Sequence, residues 1–139
     1  MSQYHVITLI LSTITFATLP SEADAKASHV KKGKVSMTDK TLAVGDKTLA
    51  YYELGHGPAV VIVHGVGGHK EDWRGVAEAL AKTHHVLAID MLGFGGSSKN
   101  GDDLSMPVQA AAILALLDAH KIQKASLVGN SVGGWVTAT

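Results

Sequence analysis

The chain has no cysteine anywhere in its 139 residues. That excludes disulfides, thiol nucleophiles and cysteine-bound zinc. It also lacks a dominant charge: 12 Lys and Arg face 12 Asp and Glu, so no field of one sign argues for nucleic acid or for a strongly acidic partner. None of the eight histidines stands in an H-E-x-x-H pattern, so no metal is expected from motif. No apolar run reaches the ~20 residues that a membrane-crossing helix takes. Internal repeats and low-complexity segments are absent. What remains is a chain that is 46% apolar, sufficient for a core, and of a length that suggests one domain.

The first residues read as a targeting segment. Val6 to Leu19 is an apolar stretch with interspersed threonines, followed by Ala23-x-Ala25 and Ala25-x-Ala27 at signal-peptidase spacing. No Lys or Arg precedes it. The expectation is a signal peptide over 1–25, with a secreted or periplasmic destination. A lysine-rich lead-in follows over 26–40, and the folded part is expected over 41–139.

From there the chain alternates. "TLAV" and "KTLAYYEL" flank Gly45-Asp46, which predicts a β-hairpin. "AVVIV", "HVLAID" and "ASLVGN" are short continuous apolar runs, expected as strands buried on both faces. "EDWRGVAEALAKT" predicts a helix with Trp73, Val76, Ala77 and Leu80 on its apolar side. "SMPVQAAAILALLDAHK" predicts a second helix, with Ser105 as cap, Pro107 in the first turn and Val108, Ala111, Ala112, Ala115 and Leu116 as the apolar stripe. A third helix starts after Ser131. Strand–helix alternation of this kind means an α/β fold with a mostly parallel sheet behind an antiparallel hairpin.

Functional groups in such sheets collect at the carboxyl ends of the strands. Three glycine-rich loops leave those ends: "HGVGGHK", "DMLGFGGSS" and "GNSVGG". In the last, Gly129-Asn130-Ser131-Val132-Gly133 matches G-x-S-x-G. A strand-to-helix turn this sharp strains the serine backbone, tolerates only very small residues two positions to either side, and lifts the hydroxyl clear of the sheet. Ser131 is the candidate nucleophile. The first loop brings a flexible backbone beside it through Gly65 and Gly67. The N–H groups of Val66 and Val132 are the candidate oxyanion donors; a relaxed helical Ser131, or a Val66 pointing away into solvent, counts against the site. His64 is expected to brace its loop by hydrogen bonds rather than act as a base. Asp90 is expected to cap turn N–H groups in the loop that contains Gly93 and Gly95. The pair His84-His85 lies at the opposite end of its strand and reads as surface or structural.

These three loops, in this order and spacing, resemble those of the α/β-hydrolase family: "HGVGGHKEDW" its oxyanion loop, "DMLGFGGSS" its strand-four loop, and "LVGNSVGG" its nucleophile elbow. The resemblance runs from about Lys47 to the C-terminal residue. It implies the N-terminal half of that fold and a serine hydrolase acting on a small-molecule acyl substrate, an ester or related carbonyl, with no cofactor. A serine at the elbow separates the chain from the dehalogenase and epoxide-hydrolase branches, whose nucleophile is an aspartate. In the family the nucleophile is followed by an acid and then a histidine. No residue of this sequence matches either, so a fragment ending after the elbow is expected, either as part of an enzyme or as a non-catalytic remnant. With later strands missing, "ASLVG" is expected to form an exposed sheet edge open to self-association. A nucleotide-binding α/β domain is the competing reading of "VVIVHGVGG" and Asp90. Lys70 occupies the position where G-x-G-x-x-G needs glycine, and no Gly-Lys-Ser/Thr occurs.

Overall fold

The computed structural model describes residues 37–101 and 103–138. The expected signal peptide and most of the lead-in lie outside these residues. Strand β1 (Thr38–Val44) begins inside the stretch read as lead-in and pairs antiparallel with β2 (Lys47–Leu54). The two-residue turn between them is Gly45-Asp46, with Gly45 at φ +60°, the left-handed geometry that a tight hairpin needs and glycine adopts without a Cβ clash.

Three further strands follow: β3 (Ala59–Val63), β4 (His85–Ile89) and β5 (Ala125–Gly129). The sheet order is β1-β2-β4-β3-β5. β2 joins β4 antiparallel, whereas β3 lies parallel to both β4 and β5. The fold is therefore α/β with a mixed sheet, as expected. Helix α1 (Arg74–Leu80) follows a 3₁₀ turn over Lys70–Trp73. Helix α2 (Met106–Ala119) connects β4 to β5, and α3 (Val132–Ala138) follows β5. Among the described residues no helix is long and apolar enough to cross a membrane.

Because side chains alternate along a strand, each run of apolar residues feeds two cores. Val61, Val63, Leu87 and Ile89 face α2 and α3, together with Leu49 and Tyr51 of β2. Val60, Ile62, Val86 and Ala88 face the opposite side, where Ala77 of α1 packs with Tyr52 and Leu54. All five residues of β3 are buried. The continuous apolar runs "AVVIV" and "HVLAI" are the sequence consequence of being covered on both faces.

Four expectations are corrected. The core face of α2 is Gln109, Ala112, Ile113, Leu116 and Leu117, whereas Ala111 is exposed and Val108 and Ala115 are half-buried. The helix is apolar nearly all round, so periodicity had little contrast to read. Gln109 is held inside by its amide, which accepts from Leu92 N–H at 2.9 Å and donates to Leu92 O at 2.9 Å. Ser105 sits at the N-cap but its side chain makes no capping bond; its own N–H donates to the Asp103 carboxylate at 2.8 Å. Val76 is exposed, leaving Ala77 as the buried residue of α1. Only Ala125 of β5 is buried, because β5 is a sheet edge among the described residues and has one neighbour, β3.

Candidate active site

The direction of the crossovers decides where the loops meet. The chain leaves β3 toward the α1 face, and leaves β5 toward the face of α2 and α3. β3 and β5 are neighbours. A crevice therefore opens between their carboxyl ends, at the point where successive connections diverge. "HGVGG" and "GNSVGG" enter that crevice from its two sides.

Ser131 stands at the head of α3 with φ +53°. A serine in left-handed backbone costs roughly 1–2 kcal/mol, and here the surrounding packing holds it. A Cβ on Gly129 would lie 2.6 Å from the Gly134 nitrogen, and one on Gly133 would lie 2.9 Å from the carbonyl carbon of Val63. Neither distance accommodates a side chain, so the strand, the turn and the helix close on one another only with glycine at both places. The turn is fastened by Gly133 N–H to Asn130 O at 2.9 Å, Gly134 N–H to Ser131 O at 2.9 Å, and Asn130 N–H to Val63 O at 3.2 Å. Val132 N–H takes no part in these bonds and is one of the donors that a helix start leaves unpaired.

The first loop touches the elbow directly. A Cβ on Gly65 would meet both Asn130 O and Ser131 Cβ at 3.2 Å. Gly68 N–H closes the loop on Gly65 O at 3.1 Å, and Gly67 has φ +76°. Val66 follows Gly65 immediately, but its side chain is 69% exposed. That exposure counts against the site as expected from the sequence; what favours it is the left-handed Ser131 and the contact of Gly65 with it.

His64 is 1% exposed. Its Nε2 accepts from Met91 N–H at 3.0 Å, which assigns the ring proton to Nδ1, and Nδ1 donates to Gly65 O at 2.6 Å. Phe94 packs edge-on against the ring at 5.5 Å between centroids. Both nitrogens are thus committed to backbone, tying the β3 loop to the β4 loop. Among the described residues no imidazole is hydrogen-bonded to the Ser131 hydroxyl.

Asp90 is fully buried. Its Oδ1 accepts from Lys70 N–H at 2.8 Å; its Oδ2 accepts from Gly96 N–H at 2.9 Å and pairs with the Lys70 ammonium at 3.1 Å. Burial pushes this carboxyl's pKa up, but the two N–H donors and the ammonium outweigh burial and hold it below the usual aspartate value. Gly95, at φ +49°, leaves room for the carboxylate: a Cβ there would sit 2.5 Å from Oδ1. Gly93 has φ +93° in the same loop. Ser97 Oγ donates to Asp90 O at 2.6 Å and accepts from Ala50 N–H at 2.8 Å, fastening the loop to the hairpin. In the sequence Lys70 stands out only as the residue that breaks a nucleotide-binding motif. Its burial beside Asp90 had no local sequence signal, because its partner lies in another loop.

Residues 58–139 match the family model described as the alpha/beta hydrolase fold. The chain is 32% identical over 114 residues to a 2-hydroxy-6-oxo-6-(2'-aminophenyl)hexa-2,4-dienoic acid hydrolase of Metapseudomonas resinovorans, covering 78% of this chain and 39% of that protein. It is 36% identical over 85 residues to a monoacylglycerol lipase of Homo sapiens, covering 59% of this chain and 25% of that one. Among solved structures, an alpha/beta hydrolase fold protein from Burkholderia ambifaria superposes with a TM-score of 0.67 at 33% identity, over 73% of this chain and 38% of the other. The chain spans well under half the length of these relatives.

Proposed function

The chain belongs to the alpha/beta hydrolase fold family, and from that premise we propose that it carries the nucleophile of a serine hydrolase acting on an ester or a related carbonyl compound. The observation that supports this most is Ser131 in left-handed backbone at the head of α3, in the crevice between β3 and β5. A relaxed loop serine has no reason to bear that strain.

In this reading the Ser131 oxygen attacks the acyl carbon. The negative charge that develops on the carbonyl oxygen is received by Val132 N–H and, from the adjoining loop, by Val66 N–H. One such donor is worth about 3 kcal/mol of barrier. A histidine base from outside the described residues takes the hydroxyl proton and returns it to the leaving group, and water then releases the acyl group. His64 and Asp90 act at one remove: they hold the two loops whose backbones form the crevice. The two relatives cleave chemically different substrates by name, and the likeness favours the acyl-transfer step common to such hydrolases rather than either substrate.

The test is hydrolysis of p-nitrophenyl acetate by the purified 139-residue chain beside Ser131→Ala. With no imidazole hydrogen-bonded to Ser131 among the described residues, the ceiling from the oxyanion donors and binding alone is about 10³–10⁴ over water. The expected result is slow turnover at or below that ceiling, lost in the alanine variant. Equal rates in the two proteins overturn the assignment.

A further inference from the structure

At the other end of the sheet, three side chains unrelated to Ser131 converge. Glu53 comes from β2, His85 from the first position of β4, and His120 from the residue that ends α2. His85 Nε2 lies 2.6 Å from Glu53 Oε1, and His120 Nδ1 lies 3.6 Å from the same oxygen. The three candidate ligand atoms all fall within 4.8 Å of one another. We propose that Glu53, His85 and His120 form a binding site for a divalent transition metal of the zinc class, which clasps β2, β4 and the end of α2.

Four features carry this. Two imidazoles and one carboxylate are a donor set that suits zinc and its neighbours rather than magnesium or calcium, which take oxygen ligands. Tetrahedral zinc with bonds of 2.0–2.2 Å sets its donors roughly 3.3–3.5 Å apart. The His120 to Glu53 spacing is already close to that, and the His85 to Glu53 pair must open by under about 1 Å. The nitrogen of His120 that faces away from the site, Nε2, lies 3.0 Å from the Tyr51 hydroxyl; an outer contact of this kind fixes the ring so that Nδ1 faces the metal. The carbonyl end of the 14-residue helix α2 also falls here, and a helix C-terminus favours a cation. Access is provided by a cleft of about 440 Å³, lined by Glu53 and His85 with Lys40, Gly55 and His56.

Lys40 is the competitor. Its ammonium pairs with the second oxygen of Glu53, Oε2, so Oε1 remains for the metal but a positive charge stands close by. The same geometry therefore predicts a gain as well as a loss. Replacing Lys40 with methionine keeps the aliphatic stem and removes the charge.

The experiment is calorimetric titration of the full 139-residue chain with zinc chloride, and separately with magnesium chloride. Zinc is expected to bind one per chain and magnesium not at all. His85→Gln and His120→Gln each weaken zinc by at least about tenfold, His84→Gln leaves it unchanged, and Lys40→Met tightens it several-fold. X-ray absorption of the zinc complex shows two imidazole nitrogens. If the glutamine variants fail to fold, Lys40→Met and the absorption spectrum still decide the matter. No zinc binding at 1 mM, equal binding in all four variants, or a zinc shell without imidazole overturns the proposal.

Discussion

Gly133 and Gly134 are neighbours in the same helix, yet adding one methyl group to each moves stability in opposite directions. A Cβ on Gly133 would stand 2.9 Å from the Val63 carbonyl carbon, with the Val63 and His64 carbonyl oxygens nearer still. Carbon atoms pack at about 3.5–4.0 Å, so α3 and β3 must part by at least roughly 0.6 Å. The obstructing atoms are backbone, and Val63 O already accepts from Asn130 N–H, so they yield little. Overpacking of this kind costs up to about 3 kcal/mol, against which alanine in a helix returns about 1 kcal/mol. The net loss for Gly133→Ala is about 2 kcal/mol. A Cβ on Gly134 meets nothing nearer than Gly129 O at 3.5 Å, an ordinary contact, so Gly134→Ala keeps the helical gain of about 0.5–1 kcal/mol. Urea unfolding followed by far-ultraviolet circular dichroism measures both, with an unchanged m-value confirming that the midpoint shift is a stability change. In thermal melts the loss is roughly 8–16 °C for a domain of this size. A Gly133→Ala variant within 0.5 kcal/mol of the parent, or a Gly134→Ala variant less stable than Gly133→Ala, refutes the packing argument for the elbow.

Two further outcomes follow from the site. Asp90 has a folded pKa below its unfolded one, so the unfolded chain takes up the proton first as pH falls; the stability from the ionised carboxylate is present above about pH 4 and lost below it. Asp90→Asn should therefore cost about 1–3 kcal/mol at pH 7, because its amide NH2 faces one of the two backbone N–H donors that the carboxylate accepts and the Lys70 ammonium keeps only Glu71 at 2.6 Å and Asp39 at 3.7 Å, and flatten the acid limb of a stability–pH curve, while a limb parallel to the parent's would show that other carboxylates set it. Ser131→Gly should be about 1 kcal/mol more stable than Ser131→Ala, since both lack the hydroxyl and only glycine is at ease at φ +53°; equal stability in denaturant melts would mean the elbow is not strained.

The parts of this molecule that were legible in its sequence are those with local causes. Gly45-Asp46 marks the hairpin, and "AVVIV" and "HVLAI" mark strands covered on both faces. G-x-S-x-G marked the elbow because the turn itself imposes the glycines. What could not be read depends on residues distant in the chain. Gln109 is buried because Leu92, in another loop, offers it an N–H and a carbonyl. Lys70 is buried because Asp90 needs a cation, and the Glu53, His85 and His120 group joins residues from three separate elements. In α2 the fault was different: its alanine-rich turns present apolar atoms on every side, and only the sheet beneath selects the face.

The position of β3 has a consequence for the order in which the chain is built. Its partner on one side, β4, is synthesised soon after it, but its partner on the other, β5, comes roughly 66 residues later, a delay of roughly 3–13 s at ordinary rates of translation. Throughout that interval β3, the most buried of the described strands, has one row of backbone groups without its β5 neighbour, and the crevice has only one of its walls. Ser131 arrives two residues after β5 ends, so it is among the last of the described residues to be synthesised.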